Sequence, residues 1–110
     1  MSKSAVPEKK HVRIEDALRR IPGSSGERYV SMLDYETLEI EFYAPRGMDP
    51  QKPHTRDEIY VVLQGHGHFV NGKDRHAFVA GDVMFVPAGV EHRFEEFSDD
   101  LQLWAFFINR

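Results

Sequence analysis

Three residues able to bind a metal or move a proton stand at the head of a strand-like run. His54, Asp57 and Glu58 precede Ile59-Tyr60-Val61-Val62-Leu63. A charged group at the mouth of a buried strand is costly unless water or a partner offsets it. His92 opens a second extended segment, His92-Arg93-Phe94-Glu95-Glu96-Phe97. Two imidazoles and one carboxylate form a facial triad for a divalent transition ion, leaving positions open for water, substrate or dioxygen. The chain has no cysteine, so thiolate ligation is excluded, while Fe(II), Mn(II), Ni(II), Co(II) and Zn(II) all suit the remaining donors. Geometry sets a condition. On a straight strand, positions 54 and 58 stand about 13 Å apart. If they share an ion, the stretch from His54 to Glu58 must bend, for instance through a bulge, and Pro53 fits such an irregular start.

Each of these residues also has a plainer reading. His92 could hydrogen-bond within a turn, and His54 could be a loop histidine. Glu58 could be a solvated rim carboxylate paired with Arg56 or Arg93, a contact worth little. Asp57 has the opposite parity to Glu58 and is expected to point outward. Tyr60 and Val62 share Glu58's parity, so they should line the same interior, and Phe94 and Glu96 should do so with His92. Inside an apolar barrel, Glu96 would have its pKa raised by desolvation and could serve as a general base; the alternative is a strand-end glutamate facing water. Tyr60 is the second candidate for proton transfer. His66 and His68, in Gly65-His66-Gly67-His68, read as a hairpin tip rather than a ligand pair. His76 sits in a charged loop.

The elements that must position these groups are short strands. The only helical stretch is Arg13–Gly23, where Ile14, Ala17, Leu18 and Ile21 repeat at helical spacing and Pro22-Gly23 ends the run. So short a helix must dock on an apolar surface. From Arg28 onward, strand-like runs alternate with Gly, Pro and Asp turns. In the segment 36–45, Leu38, Ile40 and Phe42 alternate with Glu39, Glu41 and Tyr43, the pattern of a half-buried antiparallel strand. Further strands are expected at 28–33, 58–64, 68–72, 75–80, 83–87, 92–97 and 101–109. Many short strands without alternating helices predict an all-β sandwich or barrel. The consecutive apolar residues of Val83–Pro87 and Trp104–Ile108 predict strands covered on both faces, by the lumen and by a second copy in a symmetric homodimer. Trp104, Phe106 and Phe107 belong to that barrel or dimer core.

The chain of 110 residues, with a net charge of −4, fits one domain: a frayed segment over 1–12 and a barrel over 13–110. Charges of both signs are interspersed, so no basic stripe for nucleic acid is expected. The N-terminus lacks the apolar core of a secretory signal, and no run approaches a membrane span. A soluble, cytoplasmic protein is expected.

Gly81, Pro87, Gly89 and His92 fall at the spacing of the second cupin motif, G-x5-P-x-G-x2-H-x3-N, with Glu96 where the family has Asn. The first motif, G-x5-H-x-H-x3,4-E-x6-G, is echoed by His54, Glu58 and Gly65; Lys52 occupies the place of its first histidine, and Gly47 is shifted by one. The stretch from about 36 to 108 thus resembles a cupin, and its tail is similar to small uncharacterised single-domain bacterial cupins. The resemblance implies a double-stranded β-helix, the jelly-roll barrel, with a short N-terminal helix. It implies a divalent transition metal near the barrel mouth, held by His54, Glu58 and His92, with Gln51 or a water in the fourth place. A metal-dependent enzyme of dioxygenase, isomerase or decarboxylase type, acting on a small molecule, is one expectation. A small-molecule binding or sensing module without turnover is the other. Such barrels host many chemistries, so the resemblance names no substrate.

Overall fold

The computed structural model describes Val6 and residues 10–109. Most of the frayed segment expected over 1–12 therefore lies outside the described residues. Eight strands follow one helix: α1 (Ile14–Leu18), β1 (Tyr29–Tyr35), β2 (Leu38–Tyr43), β3 (Asp57–Gln64), β4 (His66–Asn71), β5 (Asp74–Val79), β6 (Val83–Val86), β7 (His92–Glu95) and β8 (Gln102–Ile108). They form two antiparallel sheets, ordered β1-β2-β8-β3-β6 and β5-β4-β7. This is the all-β double sheet expected of the jelly-roll barrel. Among the described residues, no helix is long and apolar enough to cross a membrane.

The two sheets enclose a core in which Tyr60, Val62, Phe69, Phe78, Phe94 and Leu103 are almost wholly buried. Strand alternation does the sorting. Along β8, Leu103, Ala105 and Phe107 face inward while Gln102, Trp104, Phe106 and Ile108 do not. The inner surface of the larger sheet is set by register. Glu39, Phe107, Glu58 and Val86 form one row, and Glu41, Ala105, Tyr60 and Met84 form the next. The charged side of β2 thus faces the interior. Its Phe42 lies on the other face, edge-on to Trp104 at 5.5 Å between ring centroids.

Helix α1 explains that inversion. It is shorter than the periodicity predicts, ending at Leu18. Yet Ala17 is fully buried against Phe42 and Ala44, with Ile14, Ile21 and Trp104 packed around them. The apolar stripe thus docks on the outside of the large sheet and frees its inside for polar residues. Trp104 accordingly packs against the chain's own helix.

The glycines of the "GHG" stretch serve close packing. The β3–β4 turn is confined to Gly65, at φ +95°, and a Cβ there would lie 2.8 Å from the Leu101 backbone. His66 already belongs to β4, where it is exposed. A Cβ on Gly67 would come 2.7 Å from Phe97 Cα, so the 96–98 segment crosses directly over this strand.

Candidate metal centre and cleft

The strand β3 begins at Asp57, so His54 to Arg56 lie in the bend that precedes it. That bend meets the geometric condition set by the sequence. It returns the His54 ring over Glu58, with Nε2 2.9 Å from Oε1. His92 opens β7, and its Nε2 lies 3.4 Å from the same oxygen. The two histidine-bearing segments are tied by a Gly89 N–H donated to the His54 carbonyl at 2.7 Å. Asp57, facing away as its parity requires, accepts the Ala88 N–H at 2.9 Å and holds the same turn. Donor atoms of His54, Glu58 and His92 all lie within 4.8 Å of one another.

The protonation pattern follows from the partners. His54 Nδ1 faces the Arg56 carbonyl at 3.3 Å, and His92 Nδ1 faces the Val90 carbonyl at 2.9 Å. A carbonyl only accepts, so each Nδ1 carries the hydrogen, and in the neutral ring each Nε2 presents a lone pair. Both lone pairs face Glu58 Oε1. The Gln51 amide oxygen adds a third acceptor, 3.1 Å from His92 Nε2. Buried His54 Nε2 and Glu58 Oε1 consequently have no hydrogen-bond partner, a costly state for polar atoms. Burial pushes the His92 pKa down, but the hydrogen bonds that a protonated ring makes to Glu58 and Val90, with nearby negative charge, outweigh it, and the pKa is raised. A proton on His92 still leaves His54 Nε2 without a donor. A divalent cation among these atoms would satisfy them together, and imidazoles anchored through Nδ1 to carbonyls are the usual arrangement around such ions. The donor set therefore fits a metal.

A cleft of about 470 Å³ opens beside this cluster, lined by Glu58, His54, Gln51 and Tyr60 on one side and by Glu41 and Tyr43 on the other. Ala105 and Phe107 form its floor. Glu41 has its pKa pushed up to about 7, first by burial and then by the charges of Glu39 and Glu58, with Arg56 opposing. The Tyr60 phenol is fully buried, which with the Glu58 charge raises its pKa far above the ordinary tyrosine value. It stays protonated and donates to Gln51 Oε1 at 2.9 Å.

Several expectations are corrected. Glu96 does not enter the lumen. Its backbone adopts φ +48°, β7 ends at Glu95, and the side chain, 72% exposed, pairs with Arg75 outside. The parity rule fails there because the strand itself stops. Glu58 pairs with neither Arg56 nor Arg93: Arg56 reaches Glu39 at 2.6 Å and lies over the Phe107 ring, and Arg93 pairs with Glu95. Lys52 is exposed at the cleft rim. Glu41 and Asp49 were missed by the sequence reading. The signal for Glu41 was present: it shares parity with Tyr43 in β2, and the polar side of that strand faces in. Asp49 sits in a loop, where parity gives no guidance.

The cupin-domain family model matches residues 39–108. This chain belongs to the cupin family. It is 32% identical over 94 residues to an uncharacterised protein of Streptomyces coelicolor, covering 84% of this chain and 90% of that protein. Its fold is similar to that of BH2720 from Bacillus halodurans (TM-score 0.74, 16% identity, 99% of this chain and 87% of that one). It is also similar to the cupin domain of Cnp3 from Schizosaccharomyces pombe, with a TM-score of 0.67 and 17% identity over 74% of this chain. The match spans 60% of that cupin-domain chain. At these identities the two structures establish the cupin barrel alone.

Proposed function

We propose that this cupin binds one divalent transition-metal ion through His54, Glu58 and His92 and acts on a small molecule held in the adjoining cleft. One observation carries the reading: three buried acceptor atoms converge, with both imidazoles fixed by carbonyls so that their lone pairs face a carboxylate. A metal there would supply Lewis acidity or an open coordination position. The chain's own residues supply the rest. Phe107 and Ala105 exclude water from the cleft floor. Glu41, poised near neutral pH, can hold or release a proton at its carboxyl oxygen on the opposite wall. Tyr60 remains a hydrogen-bond donor and not a base, because burial keeps its phenol protonated.

Elemental analysis of tag-free protein after loading with Fe(II), Mn(II), Ni(II), Co(II) or Zn(II) tests this. Near one equivalent of one of these metals per chain is expected; less than about a tenth of an equivalent of all of them sinks the reading. A binding or sensing module without turnover is the second reading, supported by the outward placement of Glu96, which removes one expected base. Ligand-dependent stabilisation with no product formed would favour it.

The reading includes a symmetric homodimer. Val83 and Phe85, on the free edge strand of the large sheet, are 64% and 52% exposed, and Ile108 adds to the same outer face. Burying such residues against a second copy removes apolar area from water. Sedimentation of wild-type protein beside Phe85→Glu checks it, the variant being expected as monomer.

A further inference from the structure

We propose that Gln51 supplies the fourth protein donor of the His54–Glu58–His92 site through its amide oxygen, and that Asp49 is the positioning residue that aims it. The inference rests on the metal reading above and extends it to a residue in neither cupin motif. In those motifs the place of the first histidine falls on Lys52, whose side chain is exposed at the rim. The residue before it points inward instead. Gln51 Nε2 donates to Asp49 Oδ2 at 3.0 Å. A carboxylate oxygen accepts, so the amide cannot be turned the other way, and Oε1 must face the cluster. Asp49 is itself held. Its Oδ2 accepts the Phe94 N–H at 2.8 Å, and its Oδ1 accepts the Tyr43 hydroxyl. The loop carrying Gln51 is thereby pinned to β7, two residues from His92.

The amide oxygen has two lone pairs. One accepts the Tyr60 hydroxyl at 2.9 Å. The other faces His92 Nε2 at 3.1 Å, and that nitrogen also presents a lone pair because its ring hydrogen is on Nδ1, toward Val90. In the neutral ring no hydrogen stands between them; a proton on His92 would bridge this pair but leave His54 Nε2 without a partner, whereas a cation serves all of these atoms. The resulting set has two imidazole nitrogens and two oxygens, harder than a set with a third imidazole.

The test is a Co(II) titration of tag-free protein, followed by visible absorption, with metal-free thermal melts confirming that each variant folds. Wild type should bind. Gln51→Met, close in size but without the oxygen, should bind about 10-fold more weakly and shift the ligand-field bands, a change in affinity of the size set by residues around metal sites. Gln51→Ala, which also lacks the oxygen, should bind more weakly than wild type. Asp49→Asn should lower affinity less than Gln51→Met does. Should Gln51→Met fail to fold, the Gln51→Ala titration decides alone: an affinity and spectrum equal to wild type overturn the proposal. An affinity and spectrum unchanged in Gln51→Met overturn the donor role, and no change in Asp49→Asn overturns the aiming role. If wild type binds Co(II) and His92→Ala does not, while Gln51→Met behaves as wild type, only the Gln51 assignment is lost. Wild type that binds no Co(II) overturns the metal reading and this one with it.

Discussion

The two ends of the barrel interior are built by the same strands and do opposite things. Strand β3 carries Glu58 at the mouth, then Tyr60, then Val62 toward the closed end. Strand β7 passes from His92 to Phe94, and β8 from Leu103 through Ala105 to Phe107. At the closed end, Phe94 packs against Tyr60, Phe69 and Phe78, with ring centroids 4.7–5.4 Å apart. At the mouth, the side chains two residues away are a carboxylate and an imidazole, with the His54 ring folded back beside them. Strand parity explains why all of them point inward, but not why only one end is polar. The difference comes from the loop between β2 and β3. It brings Asp49, Gln51 and His54 over the mouth and supplies polar partners there, while the segment between β7 and β8 brings the apolar Phe97 and Leu101 to the aromatic core. Stability and chemistry should therefore be separable by position along the same strands.

Phe94→Ala should break the closed end outright, at about 3–5 kcal/mol as expected for removing a buried aromatic ring. Metal-free and metal-loaded protein should both melt much earlier. A small loss would mean that the aromatic end is not the core. His92→Ala should do the reverse. Metal affinity is expected to fall at least about 100-fold, beyond the usual effect of outer partners, while the metal-free melt changes little by comparison. Equal damage to metal-free stability would merge the two ends into one.

Glu41 gives a finer contrast, because it is a mouth residue that costs stability. Its carboxyl keeps a proton up to about pH 7 in the folded chain, against 4.5 ordinarily. A raised carboxyl pKa means that the folded state binds the proton more tightly. Wild-type stability is then full below about pH 4.5 and falls as the pH rises toward 7. Glu41→Gln should match wild type at pH 4.5 and exceed it by about 1–2 kcal/mol at pH 8, after discounting for partial exposure. Melts across that range check it, and a gap that stays constant with pH would remove Glu41 from the interior. The smallest effect is expected outside the lumen. Glu96→Gln should leave both metal affinity and melting temperature as they are, and a lost activity in that variant would return Glu96 to the site.

Much of this contrast was legible in the chain. The spacing of Gly81, Pro87, Gly89 and His92 announced both the barrel and one imidazole. The distance argument at His54 and Glu58 required the bend that the structure contains. Parity placed Tyr60, Val62 and Phe94 inside. It failed at Glu96 because a single left-handed residue ends β7, a backbone event that side-chain alternation does not encode. It also left open which side of β2 is inner. That choice depends on helix α1, whose Ala17 lies 25 residues before Phe42 in sequence yet packs directly against it, claiming Phe42 and leaving Glu41 to the cleft. The partnership of Asp49 and Gln51 was hidden because a loop has no period from which to read direction.

Ala105 sits in the centre of the large sheet's inner surface, between Glu41 on one neighbouring strand and Tyr60 on the other. Every other inward position of β8 carries a bulky side chain. The room in the cleft thus comes from one truncated residue, and its dimensions are written into the sheet and not into the rim. A valine or leucine at that point would keep all the polar groups in place and fill the cleft.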